Sequence, residues 1–179
     1  QGALVNLIPE EIVDPHIVLM DTNYYEMDGD GDNVINPGEQ VAFFVTVENF
    51  TPWDDANSVT LALESNSEDI SIENDTQYIG NLNSGDIYTI VNPYVLNIST
   101  DAQLGSHSMI LHVIANDGSY IEDYNVNLDI TLFQSGFPYD TFDQIKTNPL
   151  VVDLDNDSDY DIIFSDNMGF VHVIESDGT

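Results

Sequence analysis

The chain has no cysteine and almost no positive charge. Its 179 residues hold one Lys or Arg in total, Lys146, against 33 Asp plus Glu, for a formal net charge of −32. Without cysteine there are no disulfides, no thiolate metal ligands and no Cys nucleophile. With one cationic side chain nothing can neutralise a run of phosphates, so no nucleic acid is expected as a partner. The same deficit argues against an anionic membrane surface. Long apolar runs are also missing: none approaches the roughly 18–20 residues of a spanning helix, so membrane insertion is not expected. Gln1 is not an initiator and Gly2–Ile8 lacks a basic flank, so no signal peptide is read and a mature or excised segment is expected.

What is present argues for a folded chain. Hydrophobic residues make up 42% and aromatics 10%, too much apolar surface for a solvating acidic tail. A length of this order suits one domain, or one plus a small unit, burying roughly 70% of its unfolded surface. The self-repulsion of such a charge calls for an offset, and divalent cations or a salty medium are the natural candidates.

Residues 1–15 form a lead-in with an apolar run, Ala3–Val5 and Leu7–Ile8. A strand is expected from His16 to Met20. Val41, Phe43, Val45 and Val47 alternate with Ala42, Phe44, Thr46 and Glu48, and Val59, Leu61 and Leu63 repeat the pattern. Period two over such lengths marks strands with one buried face. Ile70 and Ile72 mark a short strand, and Gly80–Asp86 a turn. Ile87–Ile98 reads as extended, with Pro93 at an edge or bulge. Met109, Leu111 and Val113 alternate, Asn116-Asp117-Gly118 makes a hairpin turn, and Tyr124, Val126, Leu128, Ile130 and Leu132 give the clearest strand of all. No helical period occurs. The fold class expected is therefore all-β, an antiparallel immunoglobulin-like β-sandwich over 16–133. A linker over 134–148 follows, then a short partial propeller-like β-unit over 149–179. There Pro149–Asp153, Ile162–Ser165 and Phe170–Ile174 read as three very short strands.

Two acidic loops carry ligand spacing. In DGDGDNVINPGE, from Asp28 to Glu39, oxygen donors fall at positions 1, 3, 5, 9 and 12 of a twelve-residue calcium loop. They are Asp28, Asp30, Asp32, Asn36 and Glu39, with the Val34 carbonyl at position 7. Ile35 at position 8 is placed to anchor the loop to a core. Asn33 stands where glycine is usual, and Asn tolerates the left-handed conformation better than most residues. The flanks read as strands, so this would be the calcium loop without its helices. The second loop, Asp153-Leu-Asp155-Asn-Asp157-Ser-Asp159-Tyr-Asp161, again spaces carboxylates as Ca²⁺ requires, with Asp159 offering its backbone carbonyl. Two bound Ca²⁺ are the expected cofactors.

The string DGDGDNVINPGEQVAFFVTVEN resembles the "NGDG-x-x-NPGE" opening and "V-x-V-x-N" strand of immunoglobulin-like, cell-adhesion-related modules of bacterial surface proteins. The second loop between Leu150–Val152 and Ile162–Phe164 resembles the integrin-type FG-GAP (or VCBS) calcium-binding repeat, with Ser158 where glycine is usual. These resemblances imply a non-catalytic spacer or adhesive module of a secreted or cell-surface protein, extracellular in location. Further domains of a larger chain, self-association, or a carbohydrate or protein surface ligand would then be the partners. Three short strands cannot bury their own faces as a propeller does, so a partner sheet is expected for them. Strand donation by Ala3–Ile8 is one way to supply it.

His16, His107, His112 and His172 share no spacing and read as packing or surface residues. No G-x-S-x-G, H-E-x-x-H or phosphate-loop pattern occurs, so no enzyme is expected. Trp53 beside Asp54-Asp55 is a weak sugar platform, and Asn49, Asn74, Asn97 and Asn156 head glycosylation sequons. Two other functions stay open beside the spacer. One is a subunit of a homopolymeric filament built by strand pairing; the other is an accessory region of a secreted protease or glycosidase.

Overall fold

The structure is a computed structural model, and it describes residues 14–29, 31–133, 137, 139–141, 143–175 and 178. The Ala3–Ile8 run and most of the Gln134–Pro138 stretch lie outside these residues. Among them the chain is all-β and antiparallel, with one short 3-10 turn at Asn116–Gly118.

Nine strands make two sheets. They are β1 (Ile17–Asp28), β2 (Gln40–Asn49), β3 (Ala56–Ser65), β4 (Ile70–Glu73), β5 (Thr76–Leu82), β6 (Ile87–Thr89), β7 (Tyr94–Ile98), β8 (Gly105–Ala115) and β9 (Tyr120–Ile130). One sheet runs β1-β2-β7-β4, with β6 also on β2; the other runs β5-β3-β8-β9. Neither closes into a barrel, so the architecture is a β-sandwich. The alternation read from the sequence fills the space between them. Val41, Phe43, Val45 and Val47 of β2 meet Val59, Leu61 and Leu63 of β3, Met109, Leu111 and Val113 of β8, and Val126, Leu128 and Ile130 of β9. Truncating one of these, Leu61→Ala for example, costs about 2–5 kcal/mol in lost transfer energy and residual cavity.

Four strand expectations change. The first strand does not stop at Met20 but continues to Asp28, pairing with β2 as far as Asp28 opposite Gln40. Most of that extension is exposed, so main-chain hydrogen bonds and not side-chain burial carry it, and no period-two signal could have announced it. Gly80–Leu82 belong to β5 rather than to the turn, which is confined to 83–86. The extended run at Ile87–Ile98 breaks around Pro93 into β6 and β7, both paired to β2; the proline has no N–H to continue the ladder. Leu132 lies past the end of β9 and is 69% exposed.

Asn49 is fully buried at the end of β2. Its Oδ1 accepts from the His16 N–H at 3.0 Å, and its Nδ2 donates to the carbonyls of Asp54 and Leu82 at 2.8 and 3.0 Å. A sequon asparagine so enclosed serves as a strap between three segments, and a glycan has no access to it.

The remaining strands, β10 (Leu150–Val152), β11 (Asp161–Ser165) and β12 (Val171–Ile174), form a separate antiparallel sheet. Consecutive strand residues point to opposite faces. Leu150 and Val151 are 58% and 57% exposed, so neither face of this sheet is covered there. Inside it, Asp166 accepts from the Phe170 N–H and contacts His172 Nε2 at 3.1 Å, while the His172 ring stacks on Phe164.

Candidate metal centres

The first loop leaves β1 at Asp28 and enters β2 at Glu39-Gln40. Ile35 plugs it into the core at 2% exposure, as its apolar character requires. The Ile35 carbonyl accepts from the Thr131 N–H at 2.9 Å, fastening the loop to the segment that leaves β9. Asn33 takes φ +61, the left-handed conformation foreseen for it. Within the loop, Asp32 Oδ1 accepts from the Val34 N–H at 2.6 Å and Glu39 Oε2 from the Asn36 N–H at 2.8 Å. The Asn36 side chain donates to the Val34 carbonyl at 2.8 Å and to that of Phe133 at 3.3 Å. Asp32, Val34, Asn36 and Glu39 thus form one cluster. Asp28 is exposed at its entrance, and Asp30 lies outside the described residues.

Glu26, which the spacing argument did not include, belongs to this cluster. A Cβ on Gly29 would fall 2.8 Å from Glu26 Oε2 and 2.9 Å from Glu39 Oε1, so two carboxylates converge over this glycine, and a side chain there would push them aside. Oε2 of Glu26 accepts from the Gly31 N–H at 2.7 Å, whereas its Oε1 is shut off from solvent with no hydrogen-bond partner among the described residues. A buried carboxylate oxygen without a donor is costly, and a cation would satisfy it. The signal in the sequence was the every-second-residue run of acids, which begins at Glu26 and not at Asp28.

In the second loop one oxygen from each of Asp153, Asp155 and Asp157 lies within 4.8 Å of the others. The loop's own N–H groups orient them: Asp157 N–H to Asp155 Oδ1 at 3.2 Å, Ser158 N–H to Asp153 Oδ2 at 3.2 Å, and Asp159 N–H to Asp157 Oδ1 at 2.9 Å. Asn156 and Ser158 take φ +66 and +87, which wraps the backbone around the acids. Asp153 Oδ1 is buried with no hydrogen-bond partner among the described residues. Asp161 sits beneath at 2% exposure, accepting from the Leu154 N–H at 2.6 Å. The Asp159 carboxylate is not part of the converging trio. Glu175 is, by contrast, a neighbour that the loop spacing could not show. The Ile162–Ile174 pairing sets it beside Asp161. Hydrogen bonding to Asp161 and the charge of that residue push the Glu175 carboxyl up to about 7, with partial burial and then Asp155 and Asp157 adding to it.

The Asp153–Asp155–Asp157 group can hold a metal ion. Both clusters offer oxygen donors alone, and each contains a buried carboxylate oxygen with no hydrogen-bond partner among the described residues. That donor set fits a hard divalent cation and not one that prefers nitrogen or sulfur.

No protein-family model matches the chain, and no curated protein sequence matches it. Among solved structures it is similar to a family 123 glycoside hydrolase from Clostridium perfringens, at 13% identity and a TM-score of 0.36, over 54% of this chain and 22% of that one. A sporulation control protein from Bacillus subtilis gives 14% identity and a TM-score of 0.35, over 61% of this chain and 48% of that one. The chain spans less than half the length of either, and likenesses this slight carry no argument about its function.

Proposed function

We propose that this chain is a non-catalytic, calcium-stabilised structural or adhesion module of an extracellular, secreted or cell-surface protein. The observation that carries the reading is the pair of buried, unpartnered carboxylate oxygens, on Glu26 and Asp153, one in each all-oxygen acidic loop. Six to eight oxygen ligands at flexible distances are what Ca²⁺ takes, and extracellular modules bind it at about 10⁻⁴–10⁻³ M. Calcium bound only by the folded state then adds stability by mass action. It would tie β1, the start of β2 and the exit of β9 together at the first loop. At the second it would close the β10–β11 hairpin. Two bound Ca²⁺ offset four of the 32 net negative charges, and the remaining charge of about −28 sits easily in a salty, cation-rich exterior.

Thermal melts in calcium and in chelator test the reading. A transition several degrees higher in calcium supports it; superimposable curves would remove it. A second role, contact with another sheet, is favoured by the three-stranded unit. Leu150, Val151, Val171 and Val173 remain 43–69% exposed there, and a neighbouring sheet of the same protein or of another copy would cover them.

A further inference from the structure

On the outer face of the β5-β3-β8-β9 sheet, far along the strands from either acidic loop in sequence, one histidine is built differently from the other three. His112 of β8 lies opposite Ala62 of β3 on one side and Asp123 of β9 on the other. Its Nδ1 is 2.7 Å from Asp123 Oδ1, and its Nε2 is 3.2 Å from Glu64 Oε2. A carboxylate can only accept, so the short contact places a hydrogen on Nδ1. That fixes the ring's orientation and turns Nε2 toward Glu64, with which it shares a hydrogen. Carboxylate to Nδ1–H, with Nε2 presented to a second ligand, is the arrangement by which proteins orient metal-binding histidines, and a metal ion would bind here by taking the place of that hydrogen.

The space in front of Nε2 is suited to a small ion and its waters. An open cavity of about 360 Å³ lies there, its polar lining Glu64, Ser65, Asp75, Thr76 and His112 and its apolar lining Ala62, Leu63 and Ile72. The 3.2 Å between Nε2 and Glu64 Oε2 is also the right span. Metal–ligand bonds of about 2.0–2.1 Å at tetrahedral angles set neighbouring donors about 3.3 Å apart. The imidazole side chain is 27% exposed and Glu64 69%, so an ion reaches them from solvent with little desolvation.

We propose that His112 Nε2 and the Glu64 carboxylate form a binding site for a divalent ion that prefers nitrogen, Zn²⁺ in the first instance, with Asp123 as the orienting residue. Water completes the shell, with Asp75 on the same cavity wall. Two protein donors make a weak, exchangeable site, distinct in chemistry from the all-oxygen loops. The other histidines do not compete on equal terms. His107 is hydrogen-bonded by neutral groups, Ser67 Oγ at 2.8 Å and the Gln103 carbonyl at 2.7 Å, and its nearest carboxylate, Asp69, is 4.0 Å away. His172 is held by Asp166 and Tyr139, and no carboxylate contacts His16 among the described hydrogen bonds.

The test is nitrogen-15 NMR of the histidine side chains in the full 179-residue chain, saturated with calcium and titrated with zinc chloride. His112 Nε2 should move at the lowest zinc concentration of the four. Glu64→Gln and Asp123→Asn should each raise the half-shift concentration about tenfold, and Glu68→Gln, a carboxylate outside the cavity lining and away from His112, should leave it unchanged. Circular dichroism confirms that each variant is folded. The proposal is overturned if another histidine responds first, if none responds, or if Glu64→Gln titrates like the parent.

Discussion

The carboxylates of Glu26 and Glu39 face one another across the backbone of Gly29, each within 3 Å of where a Cβ on that glycine would lie. One comes from near the end of β1 and the other from the entry to β2. In water such a pair repels; around a cation it coordinates. The sign of its effect therefore depends on calcium.

Glu26→Gln is expected to lower the melting temperature in calcium and to leave it unchanged or raise it in chelator, because neutralisation removes both a ligand and a repulsion. At a calcium concentration of about 100 times the dissociation constant, one site contributes about 2.7 kcal/mol, or about 5–10 °C for a chain of this size. Scanning calorimetry of parent and variant in the two buffers reads this directly. A loss of the same size in chelator would show that Glu26 supports the fold by packing alone.

The second loop is expected to bind independently of the first. Asp155→Asn should reduce the calcium stoichiometry by one in titration calorimetry, since Asp155 is one of three converging carboxylates. Asp159→Asn, whose side chain stands outside that trio, should leave it intact. Equal losses from the two substitutions would mean that charge, and not geometry, draws the ion.

Asn49→Ala leaves the buried Leu82 carbonyl and the partly buried His16 N–H and Asp54 carbonyl without their partner. Each orphaned group costs about 1–3 kcal/mol, so a loss of about 3 kcal/mol or more is expected by urea unfolding. Mass spectrometry of the protein expressed in a glycosylating host should find Asn49 unmodified, because its side chain is fully buried.

Alkaline stability should fall early. Burial, and then Tyr120 and Glu122 nearby, push the Tyr124 phenol up to about 12; burial and then the Asp75 charge push Tyr94 higher still. A phenol whose folded pKa is raised favours the folded state fully below its unfolded value of about 10. That contribution is lost as pH climbs through the folded values. Melting temperature should decline between about pH 10 and 12. Tyr124→Phe should flatten the decline, while lowering stability at neutral pH through loss of the 2.6 Å hydrogen bond to the Ile17 carbonyl. A parent and variant that fall in parallel would count against it.

Sequence by itself determined the all-β class, most strand positions and the two acidic loops. These properties are local: alternation is read over a few neighbours, and the donors of a loop such as Asp153, Asp155 and Asp157 are close in space because they are close in the chain. Asn33 and Ile35 were legible for the same reason, one through its backbone tolerance and the other through its apolarity within a polar run. The length of β1 was not legible, because β1 is held by main-chain pairing to β2, which leaves no mark on side-chain pattern. Tertiary structure alone decided which distant groups meet. Glu175 reaches Asp161 through the β11–β12 register, Asn49 straps His16 to Leu82, and His112 stands between Glu64 and Asp123 because β3, β8 and β9 are neighbours in one sheet. In a strand the side-chain period says which face a residue takes. Only the pairing of strands, set by the whole core, says what stands beside it.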